Sequence, residues 1–155
     1  MKRVFRGLIF AGMAGATLAL GAPAAAQQQQ EEVSPYVQQV AARLEAVTQQ
    51  MGQNGYGNPE LVAFNAINGG TSQAFSYATQ DSGDIMIVGV CDNDCTDLDL
   101  RVRNAQGGVV GEDVLTDAIP VVPAPAGGRP LNIDVIMAAC SQDPCVFGVA
   151  VYRRQ

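Results

Sequence analysis

Four cysteines are the residues whose spacing most directly suggests chemistry in this sequence. They form two close pairs, Cys91 with Cys95 and Cys140 with Cys145. In an oxidising compartment an even number of cysteines predicts disulfides, with three connectivities open in principle. We expect the local bridges, Cys91–Cys95 and Cys140–Cys145, which would contribute about 2 kcal/mol each and would pin turns more than they staple the fold. The alternative is a four-thiolate zinc site, although the Cys-x3-Cys and Cys-x4-Cys spacings differ from the usual Cys-x2-Cys.

The densest group of polar side chains is a run of aspartates around the first cysteine pair: Asp92, Asp94, Asp97 and Asp99. Closely spaced carboxylate oxygens are the ligands that Ca²⁺ requires, so these four residues are a candidate Ca²⁺ site, and the sequence otherwise predicts no cofactor. Their spacing does not match the EF-hand loop, which ends on a glutamate. The alternative is that Asp92 and Asp94 form turns while Asp97 and Asp99 face solvent or pair with arginines on an exposed strand.

The sequence contains few residues that are suited to enzymatic catalysis. The chain has no histidine, and its single lysine is Lys2, so Ser-His-Asp, Cys-His and Ser-Lys arrangements are excluded beyond residue 26. Two glycine pairs, Gly69-Gly70 and Gly107-Gly108, are expected in hairpin turns rather than before a helix, so they do not form a phosphate-binding loop. The sequence therefore predicts a protein that is not an enzyme.

Residues 1–26 have the pattern of a cleavable secretory signal: a basic start, an apolar middle and a small-residue site before four glutamines. The alternative is an uncleaved anchor, which the weak hydrophobicity and Pro23 disfavour. Export to the periplasm or the extracellular space is expected. Cleavage would leave six arginines against 15 acidic residues, a net charge of −9. Such a surface argues against nucleic acid binding and against membrane insertion after cleavage.

Residues 27–33 are polar and are expected to form a disordered spacer. Residues 34–52 then predict an amphipathic helix that begins at Ser34-Pro35 and is stopped by Gly52 in the left-handed conformation. Its apolar stripe consists of Val37, Val40, Leu44, Val47 and Met51. The stripe is either a partner-binding or coiled-coil seam, or a face that packs against its own domain, and its short length favours the second.

Residues 60–155 change to the alternation of apolar and polar residues that is typical of half-buried strands. About seven or eight short strands are expected, including a buried central strand at residues 85–90 and an extended, proline-rich edge or loop at residues 120–130. Cysteine pairs and glycine turns separate them at intervals near ten residues. This spacing predicts one mainly β domain, an antiparallel sandwich or barrel.

The run from Cys91 to Leu100, the turn at residues 104–107, Asp113, Asp117 with Pro120, and the second cysteine pair together resemble the bacterial pre-peptidase C-terminal domain. The resemblance covers residues 61–152 and implies a jelly-roll-like β-sandwich. It also implies a non-catalytic accessory module that binds a protein or a polysaccharide. We expect the chain to be a monomer or a small homo-oligomer. We expect partner surfaces on the acidic strand face and on the proline-rich edge.

Overall fold

The computed structural model describes residues 33–78 and 82–155. The predicted signal peptide (residues 1–26) and all but the last residue of the predicted spacer (residues 27–33) lie outside the described residues. Val33, the last spacer residue, is exposed. Within the described part of the chain, no helix has the length and apolar character needed to cross a membrane.

Eight strands form two antiparallel sheets of four strands each, which confirms the predicted mainly β sandwich. The strands are β1 (Leu61–Ile67), β2 (Thr71–Ala78), β3 (Ser82–Cys91), β4 (Cys95–Asn104), β5 (Val109–Asp113), β6 (Val121–Gly127), β7 (Pro130–Cys140) and β8 (Cys145–Arg153). One sheet has the order β1-β8-β3-β6, and the other has the order β2-β7-β4-β5.

One helix, α1 (Pro35–Gln53), precedes the strands as predicted. The prediction that Gly52 ends it in the left-handed conformation is wrong, because the helix continues past Gly52 and the positive φ, 81°, falls at Gly55. The chain reverses only there, so that the Tyr56 N–H donates to the Met51 carbonyl at 3.1 Å. Tyr56 and Met51 then join the same apolar cluster beneath the helix.

The helix packs across β8 and β3, and we call their sheet the helix-side sheet and the other the open sheet. Side chains from one face of β8 fill the space between the sheets: Phe147, Val149 and Val151. Side chains from its other face lie under the helix: Val146, Ala150 and Tyr152. The side chains of β3 are divided in the same way between these two clusters, which confirms the predicted central strand buried on both faces.

The two glycine turns have different roles. Gly107, with φ of 83°, turns the chain between the paired strands β4 and β5, so the predicted hairpin is confirmed there. The hairpin predicted at Gly69-Gly70 is wrong, because β1 pairs with β8 whereas β2 pairs with β7. That turn carries the chain from the helix-side sheet to the open sheet. A Cβ atom on Gly69 would lie 3.3 Å from the Cys140 Cβ, tighter than an ordinary contact, so the crossing favours glycine.

A polar cluster joins the two sheets at the end where β8 finishes. The Arg153 guanidinium donates to both carboxylate oxygens of Glu60, at 2.6 and 3.1 Å, and the Tyr77 hydroxyl also donates to Glu60. Arg153 lies on the helix-side sheet and Tyr77 on the open sheet. These hydrogen bonds, that from Arg153 above all, hold the pKa of Glu60 below its ordinary value.

Candidate functional site

Both cysteine pairs form disulfides, Cys91–Cys95 and Cys140–Cys145, which confirms the local connectivity. Each bridge joins the last residue of a strand in one sheet to the first residue of the next strand in the other sheet. Cys95 and Cys140 also face each other across the β4–β7 ladder, so the bridges lie side by side. The expectation that they pin turns more than they staple the fold understates their role, because each bridge links the two sheets. The alternative of a four-thiolate zinc site is wrong, since all four thiols are oxidised.

Asp92 lies between the two bridges with its side chain fully buried. One carboxylate oxygen accepts the N–H groups of Asp94 and Cys95 at 3.1 and 3.2 Å, and the other accepts the Val146 N–H at 2.6 Å. From the helix, the Arg43 guanidinium donates to the Asp92 main-chain carbonyl at 3.2 Å. The turn prediction for Asp92 is thus supported, and the carboxylate in addition ties that turn to the start of β8.

The four candidate Ca²⁺ ligands do not converge. Both oxygens of Asp92 accept backbone N–H groups, while Asp94 contributes its main-chain carbonyl to the backbone N–H and hydroxyl of Ser141, at 2.7 and 2.8 Å. Asp97 and Asp99 lie further along the chain, on β4. Across residues 33–78 and 82–155, no three acidic, cysteine or histidine side chains are grouped closely enough to hold a metal ion.

Asp97 and Asp99 lie instead near two aspartates beyond β4, at the end of β5 and in the loop after it. We call Asp97, Asp99, Asp113 and Asp117 the acidic group. Burial raises the pKa of Asp99, and the charges of the other three raise it further, while Arg101 opposes them. One enclosed carboxylate oxygen of Asp97 accepts no hydrogen bond from the described residues. This side of the sandwich therefore concentrates negative charge.

The acidic group also shapes the loop between β5 and β6. The Asp113 carboxylate accepts the N–H groups of Leu115 and Val121 at 3.3 and 2.9 Å, and the Asp117 carboxylate accepts that of Ile119 at 2.8 Å. These local bonds satisfy the loop backbone, as is typical of aspartate in turns. They also hold the loop in a conformation that leaves Val114, Leu115 and Ile119 in solvent.

Five of the nine exposed large apolar side chains in the described residues belong to β5, β6 and this loop. They are Val109, Val114, Leu115, Ile119 and Val121, between 41% and 69% exposed, and we call them the β5–β6 surface. Sequence reasoning missed this surface because it left residues 114–119 unassigned. The sequence did contain a signal for this surface, because its aliphatic residues stand among turn-forming aspartates. A buried strand would not contain such aspartates.

The predicted proline-rich edge is β6, the edge strand of the helix-side sheet. An open cleft of about 390 Å³ lies beside it, with Tyr56, Met86, Pro123 and Arg154 in its walls. The Arg154 guanidinium lies 4.9 Å above the Tyr56 ring and donates to its hydroxyl at 3.2 Å. The cleft thus presents a fixed cation beside apolar walls.

The predicted helix stripe is covered by its own sheet. Val40, Leu44 and Met51 are buried, and Val37 and Val47 are half-buried against the same cluster. Gly148 on β8 permits this close approach, because a Cβ atom there would lie 2.7 Å from the Leu44 Cδ1. An oligomer through this stripe would require the helix to leave the sheet, which favours the alternative of packing within the domain.

The geometry therefore gives the β5–β6 surface, bordered by the acidic group, as the candidate interaction site. A comparison of the chain with protein-family models and with curated proteins found no match.

Proposed function

We propose that this chain is an exported, non-catalytic binding module whose β5–β6 surface and acidic group bind a basic protein partner. The observation that carries the proposal is that the exposed Leu115 and Ile119 follow Asp113 and Asp117 in one loop, and that the charges of these two aspartates act on Asp99 of β4. An exposed apolar patch with a polar border is typical of an interaction site.

The charge of the surface favours a partner with lysine or arginine side chains. A cation placed near Asp99 would offset the repulsion that raises the pKa of this residue. Complementary charge also accelerates association and selects against acidic partners. The apolar side chains of the surface are all aliphatic. Sugar rings stack best on aromatic side chains, so this composition favours a protein over a polysaccharide.

Export and an accessory role are supported by independent features. Two disulfides suit an oxidising compartment. Residues 1–26 have the pattern of a secretory signal, and the resemblance to pre-peptidase C-terminal domains implies a module that assists another protein. The sequence beyond residue 26 lacks the histidine and lysine of the common hydrolytic arrangements.

The test is site-specific photo-crosslinking in the cells that produce the protein. A photoreactive residue replaces Leu115 on the β5–β6 surface or, as a matched control, Gln49 on the exposed side of α1. We expect a discrete adduct from position 115 and none from position 49. Equal labelling at both positions would contradict the proposal.

The partner recovered in this way permits a quantitative test. The double variant D97N/D99N should weaken its affinity about tenfold, equivalent to about 1.4 kcal/mol, with a smaller salt dependence of the remaining affinity. Unchanged affinity would show that the acidic group does not contribute to binding.

The Ca²⁺ hypothesis from the sequence is tested by thermal unfolding in millimolar Ca²⁺. A rise in Tm that a chelator reverses would support a Ca²⁺-dependent structural role.

A further inference from the structure

The exposed apolar residues outside the β5–β6 surface lie at the opposite edge of the helix-side sheet and at the start of the chain's helix. On β1, the side chains of Val62 and Phe64 are 47% and 42% exposed. β1 is the last strand of its sheet, with β8 on its only paired side among the described strands. An edge strand presents unpaired N–H and C=O groups that can pair with another strand.

The hydrogen-bond alternation fixes which β1 residues face this free edge. The Asp92 N–H donates to the Val146 carbonyl at 2.9 Å, so even-numbered β8 residues bond to β3 and odd-numbered ones bond to β1. The odd-numbered β1 residues pair with these odd-numbered β8 residues. Val62, Phe64 and Ala66 therefore direct their main-chain groups away from the sheet. In agreement, the Ala66 N–H is bonded to a side chain, the Asn65 Oδ1 at 2.8 Å.

From Val121 to Pro125, the other edge of the same sheet offers no comparable donors. By the same alternation, β6 bonds to β3 through Val122 and Ala124, so that Val121, Pro123 and Pro125 face outward. The two prolines have no N–H, and the Val121 N–H donates to the Asp113 carboxylate at 2.9 Å. This part of the edge therefore resists pairing with a further strand, whereas β1 keeps the Val62 and Phe64 donors.

The charge distribution favours a second copy as the occupant of the open edge. Residues 61–78 contain no charged side chain, in a chain with 15 acidic residues against nine basic ones. Two copies of so acidic a protein repel each other across most of their surfaces, and like charges opposite each other on paired strands are destabilising. The uncharged β1–β2 side allows two copies to meet without opposing carboxylates.

The register of β1 is also self-complementary. An antiparallel pair centred on Phe64 places Phe64 opposite Phe64 of the second copy and Val62 opposite the second copy's Ala66. Because all three residues face the edge, these are hydrogen-bonded pairs. The contact is isologous, as twofold symmetry requires. Four main-chain hydrogen bonds form directly, and two more follow if Asn65 releases the Ala66 N–H.

We propose that two copies of this chain pair antiparallel through β1, which joins their helix-side sheets into one sheet of eight strands. The α1 stripe stays on its own sheet in this dimer. The β5–β6 surface lies at the opposite edge and remains open to the partner proposed above.

The test measures molar mass by light scattering across a range of concentrations, on protein purified after expression of the full sequence. The wild type should reach twice the chain mass. Phe64→Lys, which sets like charges opposite each other, and Val62→Pro, which removes an edge donor without touching the β8 ladder, should both give the single-chain mass. Val121→Lys is the matched control, because it adds the same charge to an equally exposed position on the other edge, and it should remain dimeric.

Far-UV circular dichroism of each variant checks that the sandwich is intact, and at least one of the two β1 variants must pass this check. Three results would overturn the proposal. They are a wild type of single-chain mass at every concentration, a dimer that persists in a folded β1 variant, and loss of the dimer in Val121→Lys. A single-chain wild type whose Val62 and Phe64 amides are nevertheless protected from hydrogen exchange would assign the edge to another segment of the same chain.

Discussion

Replacement of Asp92 tests how the disulfide end of the sandwich is held. The carboxylate is fully buried and accepts three backbone N–H groups, from Asp94, Cys95 and Val146. A hydrogen bond to a charged group contributes about 1.5–3 kcal/mol, and each buried donor left without a partner costs about 1–3 kcal/mol. Because the turn can relax and admit water, we expect Asp92→Ala to lower the free energy of unfolding by about 3–5 kcal/mol.

Asp92→Asn should lower the free energy of unfolding by a smaller amount, about 1.5–3 kcal/mol. The amide oxygen can still accept from Asp94 and Cys95, but its NH₂ group would then face the Val146 N–H. The assay is urea unfolding followed by far-UV circular dichroism, with a thiol titration to show that both bridges remain closed.

Asp94→Ala is the matched control, because the Asp94 carboxylate makes no hydrogen bond among the described residues, and its contacts run through the main chain. We expect it to change the free energy of unfolding by less than about 0.5 kcal/mol. The reasoning would be refuted if Asp92→Ala, with closed bridges, lost no more stability than this control.

For three further substitutions, the structure predicts the direction in which stability changes. The pKa of Glu60 is lowered by Arg153, so its stabilising contribution is present above the ordinary value of 4.5 and is lost as pH falls through the folded pKa. Glu60→Gln should therefore be less stable at neutral pH and approach the wild type in acid, and a Tm difference that does not change with pH would contradict this. The pKa of Asp99 is raised by burial and by neighbouring carboxylates, so its contribution turns unfavourable as pH rises through the folded pKa. Asp99→Asn should raise the Tm at neutral pH but not in acid, whereas a gain at both would point to another cause. Gly148→Ala places a Cβ atom 2.7 Å from the Leu44 Cδ1 and should cost about 1–3 kcal/mol. Amide hydrogen exchange in α1 should be faster in this variant than in the wild type. An unchanged exchange rate would contradict the close contact between Gly148 and Leu44.

Strand positions could be predicted from the sequence because alternation and turn residues are local signals. The buried central strand was expected at residues 85–90 and lies within β3, Ser82–Cys91. The proline-rich stretch was expected at an edge, because proline cannot donate to a ladder, and β6 is an edge strand. The preference for bridges within each cysteine pair has the same local origin.

The candidate site was less predictable, because its character depends on which side chains the fold leaves in solvent. An alternating sequence pattern shows that a strand has two different faces, but it does not show which other elements cover each face. The second buried face of β8 exists only because α1 lies on it. Leu115 and Ile119 have the residue types of a core, yet the loop that carries them is bonded to its own carboxylates and leaves both side chains in solvent.

The sequence by itself therefore determined the elements of this protein: one helix, a series of short strands, two close cysteine pairs and a strongly acidic composition. Only the tertiary structure decided that the turn at Gly69-Gly70 crosses between sheets, that the bridges link those sheets, and that the Asp92 carboxylate reaches Val146, 54 residues further along the chain. The physical reason is that these contacts join residues far apart in sequence. Their partners are selected by strand register and by burial of the whole core, which no local pattern contains.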